Sequence, residues 1–244
     1  MKDNFSAQAS LYSKYRPTYP NSVFEFIYKV VPGNDYAWDC ATGNGQIAVE
    51  LSKVFNKVAA TDISANQLAG AKQRENIMYL LENAEHSSFP DSSFDLITVG
   101  QAIHWLNFDN FYAEVHRTLK PNGIIAVLGY PLMRIDSKVD KVIEYFYNTV
   151  LKDYWDDERR FIDQQYQTIP FPFSEIKAPE FLIQLKWDLN GLFGFLNTWS
   201  AVQHYMKRNK NNPVDLIADQ LKEEWGGEIA KEVTFKLLVR IGKV

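Results

Sequence analysis

The chain has 244 residues, of which 46% are hydrophobic and 14% aromatic, so it can bury a substantial core in one larger domain or two small ones. Its formal net charge of −4 argues against nucleic acid as the main partner, because nucleic-acid binding depends on clustered Lys and Arg. The single cysteine excludes an intrachain disulfide, and no apolar run is long enough to cross a bilayer, so we expect a cytoplasmic protein with no membrane partner.

The segment "YSKYRPTYP", residues 12–20, combines aromatic and basic side chains with two prolines. Pro17 and Pro20 forbid a continuing helix, and the composition is not typical of a disordered tail. We interpret residues 1–20 as a lid in which Arg16 offers a fork of donors to a carboxylate of a cofactor or substrate. Tyr12, Tyr15 and Tyr19 would then close the cavity. The alternative is a segment that only packs on the surface.

The stretch "WDCATGNGQIAVEL", residues 38–51, predicts a strand that ends on Asp39, a turn with Gly43 and Gly45, and an amphipathic helix. Such a turn lets the backbone approach a ligand and directs free N–H groups of the helix towards it. The pattern fits a loose dinucleotide-binding motif, with Asp62 at about the right distance to hold ribose hydroxyls. The alternative is that the turn is a purely structural connection. Cys40 is expected to be a small residue packed under the loop.

Strands alternate with helices over the next eighty residues. We predict strands over 57–62, 77–82, 94–100 and 124–130, a helix that Ser64 caps, and a helix from about Asn107. Five strands separated mostly by helices imply right-handed crossovers and a parallel sheet that is covered on both faces.

The pattern changes after Tyr130. An amphipathic segment over 137–154 precedes a strand over 181–189, helical stretches around 191–208 and 213–225, and a last strand over 233–241. We expect the last two strands to pair antiparallel at one edge of the sheet. The prediction is therefore a single α/β domain over 1–244, a three-layer doubly wound sheet of seven strands with an antiparallel last strand. Cap insertions are expected at about 131–178 and 190–228.

Several blocks in order resemble the class I S-adenosylmethionine-dependent methyltransferases, in the methyltransferase type 11 group that includes trans-aconitate methyltransferase-like proteins. The blocks are "YSKYRPTYP", "DCATGNGQ", "TDIS", "ENAEHSSFPDSSFDLITVGQAIHW" and "RTLKPNG", within the first 130 residues. The later "NTWSAVQHYM", residues 197–206, looks like a substrate-side motif of the same group. A dehydrogenase has no need of "FPDSSFD" or "AIHW", so the combination argues against a dinucleotide. The resemblance also implies a sheet of seven strands with a reversed final strand.

The resemblance implies S-adenosyl-L-methionine as cofactor and S-adenosyl-L-homocysteine as product. The implied cofactor residues are Arg16, Asp39, Ala41, Gly43, Asn44, Gly45, Asp62, Ile63, Asn83, Ala84 and Gln101. Asp39 and Gln101 would lie near the methionine part, and Asp62 would accept hydrogen bonds from the ribose hydroxyls. Ile63 would cover one face of the adenine. Asn83 and the Ala84 backbone would form hydrogen bonds with the adenine edge. Ala41 stands where the family pattern has glycine, and Asn83 stands where it has an acid.

Three of these residues have structural alternatives. Asp62 could belong to a helix-capping turn only, Asp39 could merely organise the glycine loop, and Gln101 could be an ordinary polar end of a strand. Candidate substrate-positioning residues are His104 and Trp105 after the fourth strand and Trp199 and His204 in the cap. We expect no metal, because no His, Cys, Asp or Glu cluster has the spacing of metal ligands.

The predicted function is methyl transfer to a small molecule, favouring an oxygen and plausibly a carboxylate. A carboxylate is already ionised near neutral pH and needs no general base, which agrees with the lack of an obvious base in the sequence. The alternatives are transfer to carbon or nitrogen of another metabolite, a non-catalytic module that binds S-adenosylmethionine, and, more distantly, an NAD-dependent reductase. We expect a monomer or a homodimer.

Overall fold

A seven-stranded sheet forms the centre of the computed structural model, which describes residues 14–244. The nine strands within this range are β1 (Tyr36–Cys40), β2 (Lys57–Asp62), β3 (Ile77–Leu81), β4 (Phe94–Gly100), β5 (Leu119–Gly129), β6 (Ser174–Ile176), β7 (Leu182–Trp187), β8 (Lys231–Lys236) and β9 (Leu238–Lys243). The central sheet has the order β3-β2-β1-β4-β5-β9-β6. Strands β1 to β5 pair in parallel and β9 runs antiparallel between β5 and β6, which confirms the predicted fold. Tyr12 of the predicted lid lies outside the described residues.

Helices connect the strands and build the second half of the chain. They are α1 (Asn21–Val30), α2 (Gln46–Leu51), α3 (Ala65–Ala69), α4 (Phe108–Thr118), α5 (Ser137–Tyr145), α6 (Arg159–Asp163), α7 (Leu189–Leu196), α8 (Ser200–Asn209) and α9 (Ala218–Trp225). The predicted Ser64 cap is confirmed, since Ser64 accepts a hydrogen bond from the Gln67 N–H at 3.3 Å. Asn107, predicted only as the approximate start of a helix, is also an N-cap and accepts a hydrogen bond from the Asn110 N–H at 3.0 Å. These side chains satisfy donors that a helix start leaves unpaired.

The core lies on both faces of the central sheet. Neighbouring residues of one strand belong to different apolar clusters, as Ala37 and Trp38 of β1 and Ile124 and Ile125 of β5 show. Successive side chains of a strand point to opposite faces, and here both faces are covered. This explains why the central strands have nearly continuous apolar sequences.

The prediction for the last two strands is partly wrong. β7 does pair antiparallel with β8, but the two form a separate two-stranded sheet. The predicted strand over 233–241 breaks at Leu237, whose N–H donates to the Phe181 carbonyl at 2.9 Å, and continues as β9 in the central sheet. Leu237 and Leu238 are both buried, and they belong to different apolar clusters. The edge strand next to β9 is instead the three-residue β6, which was not predicted.

The strand order places one crevice at the carboxyl ends of the strands. β1 lies between β2 and β4, so the chain leaves β1 in one direction and later returns on its other side. Open α/β sheets bind ligands at such a reversal of strand order. The loops after β1, β2 and β4 therefore converge where a ligand is expected.

A buried carboxylate attaches α4 to the loop before β4. Glu114 accepts hydrogen bonds from the Ser87 N–H at 2.8 Å and from Arg117 Nη2 at 2.6 Å. Burial alone would raise the pKa of Glu114, but the hydrogen bonds from Arg117 and Ser87 outweigh it and hold the pKa below its usual range. The charge of Glu114 therefore stabilises the fold above the ordinary glutamate pKa of about 4.3, and this contribution is lost as pH falls through the lower folded-state value.

Glu114→Gln should lower the free energy of unfolding by about 1–3 kcal/mol near pH 7, because the buried partners lose a charged acceptor. The difference from the unchanged protein should shrink as the pH falls below the ordinary glutamate range and Glu114 becomes protonated. Urea unfolding at pH 7 and at a series of lower pH values measures this. Glu25→Gln, on the exposed side of α1, is the control and should change little. A Glu114→Gln deficit that does not depend on pH would contradict the assignment.

Candidate functional site

A cavity of about 810 Å³, a volume that includes its opening to solvent, lies at the carboxyl ends of β1, β2 and β4. We call it the first cavity. It is lined by Arg16, Pro17, Tyr19, Asp39, Ala41, Thr42, Gly43, Asn44, Gln46, Ile47, Asp62, Ile63, Ser64, Gln67, Gly100, Gln101, Ala102, Trp105 and Tyr130. Eight of the eleven predicted cofactor residues are among them, and the chain start predicted as a lid contributes Arg16, Pro17 and Tyr19.

The glycine loop after β1 depends on left-handed backbone. Gly43 has φ +56° and Gly45 has φ +81°. A Cβ on Gly43 would meet nothing closer than the Gln67 side-chain oxygen at 3.9 Å, so this position faces open space in the first cavity. A Cβ on Gly45 would lie 2.4 Å from the Tyr79 hydroxyl, so Gly45 is required by packing and does not line the cavity. Ala41 also has a left-handed φ of +53°, where a side chain costs roughly 1–2 kcal/mol.

The Asp39 carboxylate, at the end of β1, fixes this loop through hydrogen bonds. It accepts hydrogen bonds from the Thr42 hydroxyl, from the Ala48 N–H at 3.0 Å and from the Thr98 hydroxyl at 2.8 Å. Burial raises the pKa of Asp39 to about 6, against the lowering effect of these hydrogen bonds. Asp39 therefore does organise the glycine loop, as the structural alternative stated. It also borders the first cavity.

The Asp62 carboxylate connects the loops after β1 and β2. One oxygen accepts from the Gly43 N–H at 2.8 Å and the other accepts from the Ser64 N–H at 2.9 Å. A carboxylate has about four lone-pair sites and can accept several hydrogen bonds at once. Asp62 thus combines the predicted capping turn with a position in the cavity wall.

Gln101 joins the ends of β4 and β5. Its side-chain amide donates to the Tyr130 carbonyl at 3.1 Å, and its side-chain oxygen accepts from the Tyr130 N–H at 2.8 Å. Gln101 also has a left-handed φ of +54°, a strain that is typical of functional sites. Gln101 is therefore a polar residue at the end of β4 whose side chain is hydrogen-bonded to the residue after β5.

A second cavity of about 410 Å³ adjoins the first and shares Arg16, Gln101 and Trp105 with it. Its lining is Arg16, Gln101, His104, Trp105, Trp155, Arg159, Ile162, Trp199 and Ser200. The side chains beyond Trp105 come from the two segments predicted as cap insertions. The predicted residues His104, Trp105 and Trp199 are brought together here.

Two guanidinium groups border the second cavity. Arg16 donates to the Thr198 carbonyl at 3.1 Å and to the Tyr130 hydroxyl at 3.4 Å. Arg159 donates from Nε to the Tyr147 hydroxyl at 2.7 Å, and its guanidinium carbon lies 4.9 Å from the centre of the Trp155 ring. Aromatic stacking and a fixed Nε hydrogen bond hold a guanidinium in one plane. Sequence reasoning missed Arg159, which lies in a charged run with no local signal.

His104 is buried and neutral. Burial lowers the pKa of His104 to about 3, and the nearby positive charges of Arg159 and Arg16 add to this effect. Its Nδ1 lies 3.2 Å from the Tyr166 hydroxyl. At neutral pH His104 therefore has one N–H donor and one acceptor nitrogen.

Four predicted site residues do not line either cavity: Gly45, Asn83, Ala84 and His204. Asn83 accepts a hydrogen bond from the Glu85 N–H at 2.9 Å and closes a turn, while Ala84 is buried in the core. His204 Nδ1 lies 2.9 Å from the Tyr154 carbonyl oxygen. Because a carbonyl can only accept, Nδ1 carries the proton, and His204 fixes the turn next to Trp155 without bordering the cavity.

Comparison with known proteins agrees with this geometry. Residues 38–127 match the family model of a methyltransferase domain. A solved structure from Anaeromyxobacter dehalogenans that carries the name type II methyltransferase is 34% identical, with a TM-score of 0.86 over 94% of this chain and 98% of that one. A Dictyostelium discoideum protein classed as a methyltransferase is 31% identical over 223 residues, 90% of this chain and 85% of its own length. The chain is a class I S-adenosylmethionine-dependent methyltransferase.

A more distant relative is also named as a methyltransferase. A Saccharomyces cerevisiae protein named for S-adenosylmethionine-dependent methyl transfer is 23% identical over 258 residues, 90% of the methyltransferase chain described here and 89% of its own. In residues 14–244, no helix of this methyltransferase is both long and apolar enough to span a bilayer. Within the same range, no three His, Cys, Asp or Glu side chains are grouped closely enough to hold a metal ion.

Gly43→Ala should weaken the binding of S-adenosylhomocysteine about tenfold or more, because the new methyl group would project into the first cavity. The control is Gly226→Ala, since Gly226 has a similar φ of +72°, a Cβ on it would meet nothing within 4 Å, and it does not border the first cavity. Both variants should lose a similar amount of stability, about 1 kcal/mol. Calorimetric titration of both proteins measures the affinity. Equal affinities would mean that the glycine loop does not contact the cofactor.

Proposed function

We propose that this methyltransferase transfers a methyl group from S-adenosylmethionine to an oxygen of a small carboxylic acid in the second cavity. The observation that supports this most directly is the pair of guanidinium groups, Arg16 and Arg159, on a small cavity beside the first cavity. Arginine is the side chain best suited to two-point recognition of a carboxylate.

The first cavity has the features that S-adenosylmethionine requires. The glycine loop around Gly43 provides open space along the backbone, and the Asp62 carboxylate in the cavity wall is a charged acceptor for the ribose hydroxyls. Ile63 provides apolar surface for the adenine. Gln101, Asp39 and Arg16 border the part of the first cavity assigned to the methionine moiety. S-Adenosylmethionine supplies an electrophilic methyl group on a sulfonium sulfur.

A carboxylate acceptor agrees with the charges of the residues that line the second cavity, where Arg16 and Arg159 are cationic and His104 is neutral. A carboxylate oxygen would form the new bond to the methyl carbon while the bond between that carbon and sulfur breaks, and the electron pair remains on sulfur. No proton is released, so no general base is needed. Because the pKa of His104 is held at about 3, this residue is a poor base, whereas the residues around the acceptor can orient it. Orientation of two reactants can contribute roughly 7–11 kcal/mol.

The aromatic wall would bind the carbon skeleton of the acid. Trp105, Trp155 and Trp199 border the second cavity, and the Trp155 and Trp199 rings lie 5.5 Å apart. Rings of this kind provide apolar contact and exclude water from charged groups. The second cavity, of about 410 Å³ including its opening to solvent, suits a small acceptor. Arg159 also lies 3.6 Å from the Asp163 carboxylate, so Arg16 is the guanidinium that most disfavours an ammonium acceptor.

Incubating the enzyme with S-adenosylmethionine and a panel of small carboxylic acids, with the matched amines, alcohols and amides as controls, tests the acceptor class. Methyl esters of one or more acids are the expected products. Methylation of only amines or carbon acids would replace the proposal with transfer to nitrogen or carbon. Tight binding of S-adenosylhomocysteine with no methylated product from any class would favour a non-catalytic binding module.

Asp62→Asn should weaken S-adenosylhomocysteine binding by roughly 10- to 100-fold, because the ribose hydroxyls would lose a charged acceptor worth about 1.5–3 kcal/mol. The matched control is Asp95→Asn. Asp95 is also buried and accepts from the Asp35 and Tyr36 N–H groups at 3.0 Å, but it lies at the opposite end of β4. The Asp95→Asn protein should be less stable than the unchanged protein and should bind S-adenosylhomocysteine with the same affinity. Unchanged affinity in a folded Asp62→Asn protein would refute the ribose assignment.

Arg159→Met should raise KM for the carboxylic acid by roughly 10- to 100-fold, since one charge-assisted hydrogen bond to the acceptor is lost. The affinity for S-adenosylhomocysteine should change by less than about twofold, because Arg159 borders only the second cavity. Arg160→Met, on the same helix but exposed, is the control. Steady-state kinetics with both substrates varied separates the two effects. A rise in KM for the cofactor alone would place Arg159 outside the acceptor site.

A further inference from the structure

A strained turn under the second cavity holds a buried tyrosine. Gln165 has φ +54° and Tyr166 has φ +60°, so two consecutive residues with side chains adopt the left-handed conformation. Each such residue costs energy that the surrounding structure must offset, and such positions cluster at functional sites. The side chain of Tyr166 is completely buried. The turn therefore needs a reason beyond connecting α6 to β6.

The end of β5 is shaped to admit this tyrosine. A Cβ on Gly129 would lie 2.6 to 2.8 Å from three atoms of the Tyr166 side chain, including its hydroxyl oxygen. Gly129 thus leaves the space that the phenol fills. The backbone of Tyr166 is also fixed, because its N–H donates to the Phe161 carbonyl at 2.7 Å and its carbonyl accepts from Arg240 at 3.1 Å.

These features place the Tyr166 hydroxyl 3.2 Å from Nδ1 of His104, a residue of the second cavity wall. A neutral imidazole has one N–H and one acceptor nitrogen. A phenol is a better donor than acceptor, so the favoured arrangement has the Tyr166 O–H donating to Nδ1. The proton of the imidazole is then on Nε2. Among residues 14–244, Nε2 of His104 makes no hydrogen bond that would compete for this proton.

We propose that Tyr166 is a positioning residue that holds His104 as the Nε2–H tautomer, so that the imidazole donates this hydrogen to the carboxylate of the acceptor. The proposal rests on the proposed function, because it assigns His104 to the same acceptor site. A neutral donor fixes the orientation of a carboxylate without adding a third positive charge to a cavity that already has two guanidinium groups. The attacking oxygen therefore retains more of its electron density.

The tautomer can be measured without any acceptor. The chain has four histidines, and long-range proton–nitrogen correlation spectra distinguish Nδ1–H from Nε2–H in each of them. The His104 signals are assigned by their loss in His104→Gln. The expected result is Nε2–H in the unchanged protein and a mixture of tautomers in Tyr166→Phe. A predominant Nδ1–H form in the unchanged protein would overturn the proposal.

Kinetics then test whether the tautomer matters for the acceptor. Tyr166→Phe keeps the ring beside Gly129 and should raise KM for the carboxylic acid about tenfold, with the KM for S-adenosylmethionine unchanged. Tyr112→Phe is the matched control, because the buried Tyr112 donates to the Pro170 carbonyl at 2.6 Å near the same turn. An equal effect of both substitutions would show that only general stability is involved.

Two substitutions of His104 separate the nitrogens. The side-chain amide of Gln can replace an Nε2–H donor, whereas that of Asn reaches only the Nδ1 position. His104→Gln should therefore retain at least about tenfold more activity than His104→Asn, and adding Tyr166→Phe to His104→Gln should cost little more. The reverse order, or a full additive loss in the double variant, would refute the assignment. If the enzyme methylates no carboxylic acid, the proposed function fails, while the tautomer measurement still decides the role of Tyr166.

Discussion

The arrangement of the whole site depends on one buried carboxylate, that of Asp39. It accepts hydrogen bonds from Thr42 in the glycine loop, from Ala48 in α2 and from Thr98 in β4, so it holds together the elements on both sides of the strand reversal. Burying a charge is unfavourable unless its hydrogen bonds are satisfied, which explains why three donors converge on it. With the loop fixed in this way, the Gly43 N–H is available to Asp62, and the loop after β2 is fixed in turn.

Most of the first cavity could be predicted from the sequence, because its signals are local. Strand-to-helix turns with Gly43 and with Asp62 can each be recognised within about ten residues. The second cavity could not be predicted in the same way, because it joins Arg16 to Trp155, Arg159 and Trp199, which are far apart in the chain. Nothing in the charged run around Arg159 distinguishes it from the exposed Arg160. The break at Leu237 was also hidden, since an apolar run continues across it while the strand changes sheets.

The two cavities differ in what builds them. The first is formed mainly by loops at the ends of central strands, whose backbone is fixed by pairing in the sheet. The second takes Trp155, Arg159 and Trp199 from helical segments that pack through aromatic rings, such as Trp199 between Phe146 and Trp155. Changes in these segments can alter the second cavity, the proposed acceptor site, without disturbing the strands that carry the glycine loop. Arg16, Gln101 and Trp105 are shared by both cavities, so substitutions there are expected to change both cavities.

The place of β9 in the sheet determines the order in which the sheet can be completed. β9 lies between β5 and β6, although it follows both in sequence. Within residues 14–244, β6 pairs with no strand of the central sheet other than β9, so it joins this sheet only through β9. The pairing of β9 with β5 joins Ile124 to Lys243 and must overcome the entropy of closing a very long loop. Until then, β5 presents an open edge of apolar residues, which makes the unfinished sheet prone to pairing with other chains during synthesis and refolding.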